Sequence, residues 1–138
     1  RDNNPDSEMD LNYLQYILKL AKKSLKGNEK FENHNGKFAL IGFDSCMMGM
    51  LEVCYELRNV SEFMVASQGY APIDGWDYEM ILKELIDQKG QLTPEKFAKS
   101  IVNSHIDYSR NYKAGGRAMS LNCVDLENAS KLRKSINN

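Results

Sequence analysis

Phe38-Ala-Leu-Ile-Gly-Phe-Asp-Ser-Cys-Met-Met-Gly49 is the most informative stretch of this sequence. A short apolar run that ends in polar residues is typical of a parallel strand buried on both faces. After Asp44-Ser-Cys46, apolar residues recur at spacings of three and four, which predicts a helix from Cys46 to about Arg58. The pattern therefore places a carboxylate and a thiol at the carboxyl end of a central strand, where open α/β sheets bind their ligands.

Each of these two side chains has a chemical and a structural interpretation. At a helix start, the partial positive charge of unpaired N–H groups would activate Cys46 as a nucleophile. A single cysteine is, however, more often a small buried apolar residue. Asp44 either receives a cationic side chain through charge-assisted hydrogen bonds or caps the following helix, as aspartates before helices usually do. The spacing alone leaves these alternatives open.

The rest of the chain predicts an α/β fold in one domain, residues 1–138, without an internal linker or repeat. A second apolar run at Glu62–Ser67 reads as a neighbouring parallel strand, so that residues 37–67 form one β–α–β unit. The loop 68–77 should leave the sheet on the same edge as Cys46. The other elements predicted from spacing and capping residues are helices at about residues 8–26 and 78–88, a helix opened by Thr93-Pro94 and broken at Ala114-Gly-Gly116, a strand at Met119–Val124, and a last helix from Asp125 or Leu126.

Composition excludes several classes of function. The 138 residues carry 18 basic and 19 acidic side chains, for a formal charge of −1, so no long-range field favours nucleic acid or an anionic membrane. The apolar runs are too short to span a membrane. Three cysteines do not make a disulfide scaffold. No group of residues has the spacing of zinc ligands or of a calcium-binding loop, so the spacing predicts neither a metal nor another cofactor.

A catalytic thiol needs a base, and neither histidine of this chain is a convincing one. His34 comes twelve residues before Cys46, in the loop leading into the same strand. Because a strand of about seven residues spans roughly 20 Å, His34 should lie at the opposite edge of the sheet. His105 falls inside a predicted helix and is expected to be a packing residue. Position in the sequence therefore identifies no base for the thiol within this chain.

The identity of the residues around Asp44 and Cys46 indicates a protein family, which their spacing alone does not. Ile41-Gly-Phe-Asp-Ser-Cys-Met-Met-Gly-Met-Leu-Glu-Val-Cys-Tyr-Glu-Leu57, followed by Val65-Ala-Ser-Gln68 and Gly75-Trp-Asp-Tyr78, closely resembles the clostripain family of cysteine peptidases. That family (peptidase C11) belongs to the clan of caspases and gingipains. The resemblance is strong over roughly residues 37–87 and looser elsewhere. It implies a caspase-like three-layer α/β/α sandwich with a mostly parallel sheet, present here as a fragment.

The resemblance also implies how the catalytic centre is completed. In the family, a His-Gly pair ends the strand that precedes the cysteine strand, and internal cleavage separates a light chain with the histidine from a heavy chain with the cysteine. This chain then corresponds to the heavy chain, Cys46 is the nucleophile, and the light chain of the same precursor is its partner. A secreted or cell-surface bacterial enzyme is expected, with calcium as a possible requirement. Arg1 is either close to the processing site or only the point at which this sequence begins.

The resemblance assigns the substrate-binding residues as well. Asp44 is implicated in the primary specificity pocket, which implies cleavage after Arg or Lys. Ser67 and Gln68 border the crevice, where a substrate backbone would add as a β-strand. Trp76 either walls the pocket or fills the core.

The main alternative is a non-catalytic caspase-like domain that binds peptides or partner proteins. An apolar run closing on His-Gly before Arg1 in the precursor would favour the enzyme. A flavodoxin-like anion-binding domain is weaker, because its glycine-rich loop should follow a strand, whereas Gly115-Gly116 precedes one.

Overall fold

Helices and strands follow one another largely in the order that the sequence predicts. The protein is described by a computed structural model, which places residues 9–89, 91–111 and 119–136; the predicted helix break at Ala114-Gly-Gly116 lies outside these ranges. The elements are α1 (Leu11–Ser24), α2 (Glu29–Glu32), β1 (Phe38–Phe43), α3 (Leu51–Leu57), β2 (Ser61–Ala66), α4 (Tyr78–Asp87), α5 (Pro94–Asn111), β3 (Asn122–Asp125), a 3₁₀ turn (Leu126–Asn128) and α6 (Ala129–Ile136).

The described strands form one sheet in the order β1-β2-β3. β1 and β2 are parallel, with Phe38 opposite Ser61 and Phe43 opposite Ala66. Since the two strands end level, the segments that follow them emerge side by side at one edge. This edge is called the carboxyl edge below. The predicted β–α–β unit is therefore confirmed in its parallel pairing.

β3 runs antiparallel to β2, with Asn122 opposite Ala66. Two helices, α4 and α5, lie between these strands in sequence. β3 begins opposite Ala66, at the carboxyl edge, and runs back down the sheet. The sheet of described residues is thus mixed, with its parallel pair at β1 and β2.

Apolar side chains cover both faces of the sheet and make three layers. One cluster joins β2 and the 3₁₀ turn to α3, with Leu18 of α1 against it; its fully buried members include Leu57, Met64 and Leu126. The other joins Val65 of β2 to α4 and α5. Alternate residues of β2 point into opposite clusters, as the pleat of a strand requires. The α/β/α sandwich predicted above is confirmed.

The helix predicted to begin at Cys46 begins instead at Leu51. In between, the N–H of Met47 donates to the carbonyl of Gly69 (3.0 Å), and the N–H of Gly49 donates to that of Ser67 (2.7 Å). These donors are therefore used by the neighbouring loop rather than by helical i−4 carbonyls. Met47 also has φ 60°, a left-handed conformation that no helix residue adopts. Residues 44–50 form a turn.

Candidate active site

Cys46 lies in this turn at the carboxyl edge, and its side chain is exposed. The N–H of Ala71, in the loop after β2, donates to Sγ at 3.3 Å and orients the sulfur. The proposed activation by a helix start is wrong, because Cys46 lies five residues before a helix of only seven residues. The thiol is nevertheless open to solvent and held between the segments that follow two parallel strands.

The carboxylate of Asp44 is half-buried next to this turn. Its Oδ2 accepts hydrogen bonds from the backbone N–H of Trp76 (2.9 Å) and from the hydroxyl of Tyr78 (3.0 Å). The capping alternative for Asp44 is therefore wrong: α3 begins seven residues later, and its N-cap is Met50. Oδ1 is buried and accepts no hydrogen bond from the described residues. A buried carboxylate oxygen without a donor is costly, so this atom is available for one.

Gly75 and Tyr78 were not singled out by sequence reasoning, although the run Gly75-Trp-Asp-Tyr78 was part of the resemblance. Gly75 has φ +76°, and a Cβ placed there would lie 2.5 Å from Oδ2 of Asp44. Only glycine thus allows the loop to approach the carboxylate. Burial, and after it the hydrogen bond and charge of Asp44, raise the pKa of Tyr78. The phenol therefore stays protonated and remains a donor to Asp44.

Ser67 and Gln68 follow β2 directly and differ in exposure. Ser67 is 1% exposed. Its hydroxyl accepts from the N–H of Gly69 and donates to the carbonyl of Tyr70. Gln68 is exposed and lines a cavity of about 350 Å³ between the Cys46 turn, α3 and α6. At this edge Gln68 is therefore the freer side chain, and Ser67 fixes the loop.

Trp76 contributes to the site through its backbone. The ring is 8% exposed, packs against Gly42 and belongs to the core cluster below α4 and α5. Its N–H holds Asp44, as described above. A role as a pocket wall stays a prediction, and the core packing of the ring is observed.

Neither histidine reaches the thiol through a described contact. Nδ1 of His34 lies 3.1 Å from the Glu62 carboxylate, near the start of β2 and thus at the opposite edge of the sheet, as predicted. His105 is buried on α5, and its two ring nitrogens have no hydrogen-bond partner among the described residues. Among the described residues, no contact joins a histidine to Cys46.

The other two cysteines have a different environment. Burial is the main factor that raises the pKa of the Cys54 thiol and, likewise, that of Cys123. Cys54 is 3% exposed in the core beneath α3. Of the three sulfurs, only that of Cys46 combines exposure with a position at the carboxyl edge.

The described residues contain no group of three or more His, Cys, Asp or Glu side chains arranged to hold a metal ion. None of the described helices is long and apolar enough to cross a membrane.

Gly49 fixes the distance between the Cys46 turn and the loop after β2. A Cβ at this position would lie 2.9 Å from the carbonyl carbon of Ser67, and backbone atoms cannot move aside cheaply. We expect Gly49→Ala to lower the free energy of unfolding by about 1–3 kcal/mol, as overpacking does, measured by urea denaturation. Gly27→Ala is the control, since nothing lies within 4 Å of a Cβ there and only its φ of +88° opposes the change. A Gly49→Ala protein more stable than the Gly27→Ala protein would contradict this expectation.

The fold and site together define a class: a caspase-like α/β/α domain with a thiol at the carboxyl edge of its sheet. A sequence model of the clostripain family (peptidase C11) matches residues 6–138. The chain belongs to the clostripain family.

Solved structures agree with this assignment at the level of the fold. A cysteine protease from B. fragilis superimposes with a TM-score of 0.69 at 21% identity, covering 96% of this chain and 49% of that one. A clostripain from Bacteroides thetaiotaomicron, in complex with the peptide inhibitor BTN-VLTK-AOMK, superimposes with a TM-score of 0.69 at 19% identity. The match covers 96% of this chain and 49% of that one. A secreted C11 cysteine protease from the same species, with an irreversible peptide inhibitor, superimposes with a TM-score of 0.68 at 23% identity. The match covers 97% of this chain and 35% of that one. A comparison with curated protein sequences finds no match.

This chain therefore spans about half of the length of the first two solved relatives, and about a third of the third.

Proposed function

We propose that this chain carries the nucleophile and the specificity pocket of a cysteine endopeptidase that cleaves after Arg or Lys. The observation that carries the proposal is the exposed thiol of Cys46 beside a carboxylate, Asp44, whose Oδ1 is buried and unpaired. A thiol supplies the attacking atom, and a buried unpaired carboxylate oxygen favours a cationic ligand.

In this mechanism a histidine removes the proton of Cys46, and Sγ attacks the scissile carbonyl carbon. The tetrahedral intermediate expels the amine, which takes the proton from the imidazolium, and a thioester remains. Water then hydrolyses the thioester and restores the thiol. The N–H of Cys46, which donates to none of the described residues, is a suitable donor to the oxyanion. A glycine after the histidine would provide the second donor.

The histidine is proposed to come from a light chain, N-terminal to this chain in the precursor. The outer edge of β1 supports this, because β1 pairs only with β2 among the described strands. Residues 38–43 contain no charge and no proline, the devices by which exposed edge strands usually avoid pairing. A parallel strand added along β1 would end level with Phe43, so that a histidine at its tip would stand next to Cys46.

Substrate recognition is proposed to use both sides of the thiol. The guanidinium or ammonium of P1, the residue before the scissile bond, would bind Asp44. The peptide backbone would lie along the Ser67–Gln68 segment as an added strand, next to the exposed side chain of Gln68. The inhibitor named for one solved relative has the peptide letters VLTK, ending in lysine, which is consistent with a basic P1 residue. Another relative is described as secreted, and secretion or display at the cell surface of a bacterium is proposed for this protein too.

Complementation tests the two-chain mechanism. We expect residues 1–138 alone to have no measurable peptidase activity on an Arg-containing fluorogenic peptide, because general-base catalysis is worth about 10²–10⁴-fold and the base is missing. Adding the segment that precedes Arg1 in the precursor should restore activity. The same segment with its histidine replaced by alanine is the matched control and should restore none.

Two outcomes would contradict the proposal. Activity of residues 1–138 alone would mean that the base lies within this chain. A preceding segment without an apolar run ending in His-Gly would favour the non-catalytic peptide-binding domain.

A further inference from the structure

Three side chains on the α4–α5 side of the sheet have buried polar atoms. They are Asp44, Trp76 and His105, and each has at least one ring or carboxylate atom without a partner among the described residues: Oδ1 of Asp44, Nε1 of Trp76, and both Nδ1 and Nε2 of His105. Buried polar atoms are almost always paired in folded proteins. Unpaired atoms on three side chains of this region, one of which is the proposed P1 ligand Asp44, point to a role beyond packing.

The direction of α5 brings His105 to this place. β3 starts at the carboxyl edge, so α5, which precedes it, must run towards that edge. His105 follows Ile101, a member of the core cluster with Trp76, by one helical turn. It therefore lies on the same helix face as Ile101 and nearer to the carboxyl edge. At 5% exposure, its ring is sealed from solvent.

The charge of Asp44 acts on this ring. Burial lowers the pKa of His105, and the carboxylate of Asp44 opposes this effect in part. The other ionisable groups around α5 are the Cys123 thiol on β3, whose pKa is raised by burial, and Asp77, Glu84 and Asp107 along the open α4–α5 groove. The carboxylate of Asp44 is thus a charged group that acts on His105. Imidazolium at this position would be a counter-ion to the specificity carboxylate.

We infer that His105 is a specificity-determining residue, which as a neutral imidazole leaves the charge of Asp44 to the basic P1 side chain and as an imidazolium competes with that side chain for Asp44. The inference rests on the proposed function, because it presumes that Asp44 binds the P1 cation. His105 does not touch the scissile bond, and it acts on P1 binding through Asp44. An apolar residue would fill the same volume without this competition.

The competition between protonated His105 and the P1 side chain weakens P1 binding at low pH. P1 cation binding and protonation of His105 oppose each other, and linkage makes the effect reciprocal. The preference for a charged P1 residue should therefore be full at neutral pH. It should fall as pH drops below the pKa of His105, by at most about tenfold per pH unit for one competing proton.

A binding experiment isolates this effect. Full-length protein carrying Cys46→Ala binds two labelled peptides that differ only at P1, which is arginine in one and its uncharged isostere citrulline in the other. The ratio of the two dissociation constants is measured between pH 5 and 8 by fluorescence polarisation. Taking the ratio removes every pH effect that is independent of the P1 charge.

Three proteins are compared in this Cys46→Ala background: unsubstituted at both histidines, His105→Gln, and His34→Gln. Glutamine keeps polarity and hydrogen-bonding capacity but cannot become charged. His34→Gln is the matched control, because His34 pairs with Glu62 at the opposite edge of the sheet. We expect the arginine preference to fall on acidification in the unsubstituted and His34→Gln proteins. In the His105→Gln protein it should stay within about twofold between pH 5 and 8, because the side chain at position 105 can no longer become charged.

The outcomes separate this inference from the proposed function. An arginine preference with the same pH dependence in the His105→Gln protein would overturn the role of His105 and leave the proposed specificity intact. The absence of any arginine preference at pH 7.5 in the unsubstituted protein would overturn both. Should His105→Gln unfold, which the fluorescence of the single tryptophan, Trp76, would report, His105→Phe provides the same uncharged comparison with a ring that fills the site.

Discussion

Replacing Cys46 with alanine in the full-length precursor is expected to abolish peptide cleavage, with a loss of kcat/KM of at least about 10⁴-fold. The methyl group that remains cannot attack a carbonyl, so the covalent pathway closes completely. Processing into two chains should stop as well if the enzyme cleaves its own precursor. Cleavage of a fluorogenic Arg peptide and electrophoresis of the purified precursor measure the two effects.

Cys54→Ala is the matched control for this variant, since it makes the same substitution at another sulfur. Cys54 is buried against Leu57 and Met64, and burial raises the pKa of its thiol. We expect this variant to lose some stability, because a cavity replaces the sulfur, and to retain its activity per folded molecule. Iodoacetamide should label Cys46 and spare Cys54, since only Cys46 is exposed. Cleavage that survives in the Cys46→Ala protein would rule out the mechanism.

Local pattern was sufficient to predict the elements that surround this thiol. β1 has the bounds Phe38–Phe43, and the apolar run ends at the same residue. α5 begins at Pro94, where Thr93 accepts a hydrogen bond from Lys96 N–H, as its capping signature predicts. Parallel pairing then brings the segments after β1 and β2 together without further information. The helix cap and the strand depend on residues that are neighbours in sequence. The position of the two following segments depends only on the parallel direction of β1 and β2.

The turn that carries Cys46 could not be predicted in this way. Met47, Met50 and Leu51 have helical spacing, and nothing in that spacing reveals that the N–H groups of Met47 and Gly49 donate to Gly69 and Ser67. Those bonds form only after β2 has docked beside β1. A tertiary contact thus overrides the local preference.

The partners of Asp44 were hidden for a related reason. Its main donor is a backbone N–H, that of Trp76, thirty-two positions later in the chain. A backbone donor has no sequence signature. Gly75-Trp-Asp-Tyr78 stood out as a motif, but the three-dimensional structure was needed to show that Gly75 makes room for the carboxylate and that Tyr78 donates to it.

Asp44→Asn is expected to remove most of the preference for basic P1 residues. The amide is close in shape to the carboxylate, and its oxygen can still accept from Trp76 and Tyr78. Its NH₂ group would then stand where Oδ1 stands and would present a donor, not an acceptor, to the P1 cation. Loss of one partner of a buried charge pair costs about 2–5 kcal/mol, so kcat/KM for Arg and Lys peptides should fall by about 30-fold or more.

Asp77→Asn separates this effect from a change in net charge. Asp77 lies next to Trp76 in the loop after β2, and its substitution removes the same charge. Its carboxylate, however, caps α4 by accepting from Met80 N–H. Asparagine caps a helix about as well as aspartate does, so this variant should keep its selectivity. Both variants are assayed with peptides that carry Arg, Lys or norleucine at P1, and alkylation of Cys46 verifies that the thiol is intact. Unchanged selectivity in the Asp44→Asn protein, or an equal loss in the Asp77→Asn protein, would mean that Oδ1 of Asp44 does not hold the P1 cation and that the basic preference has another origin.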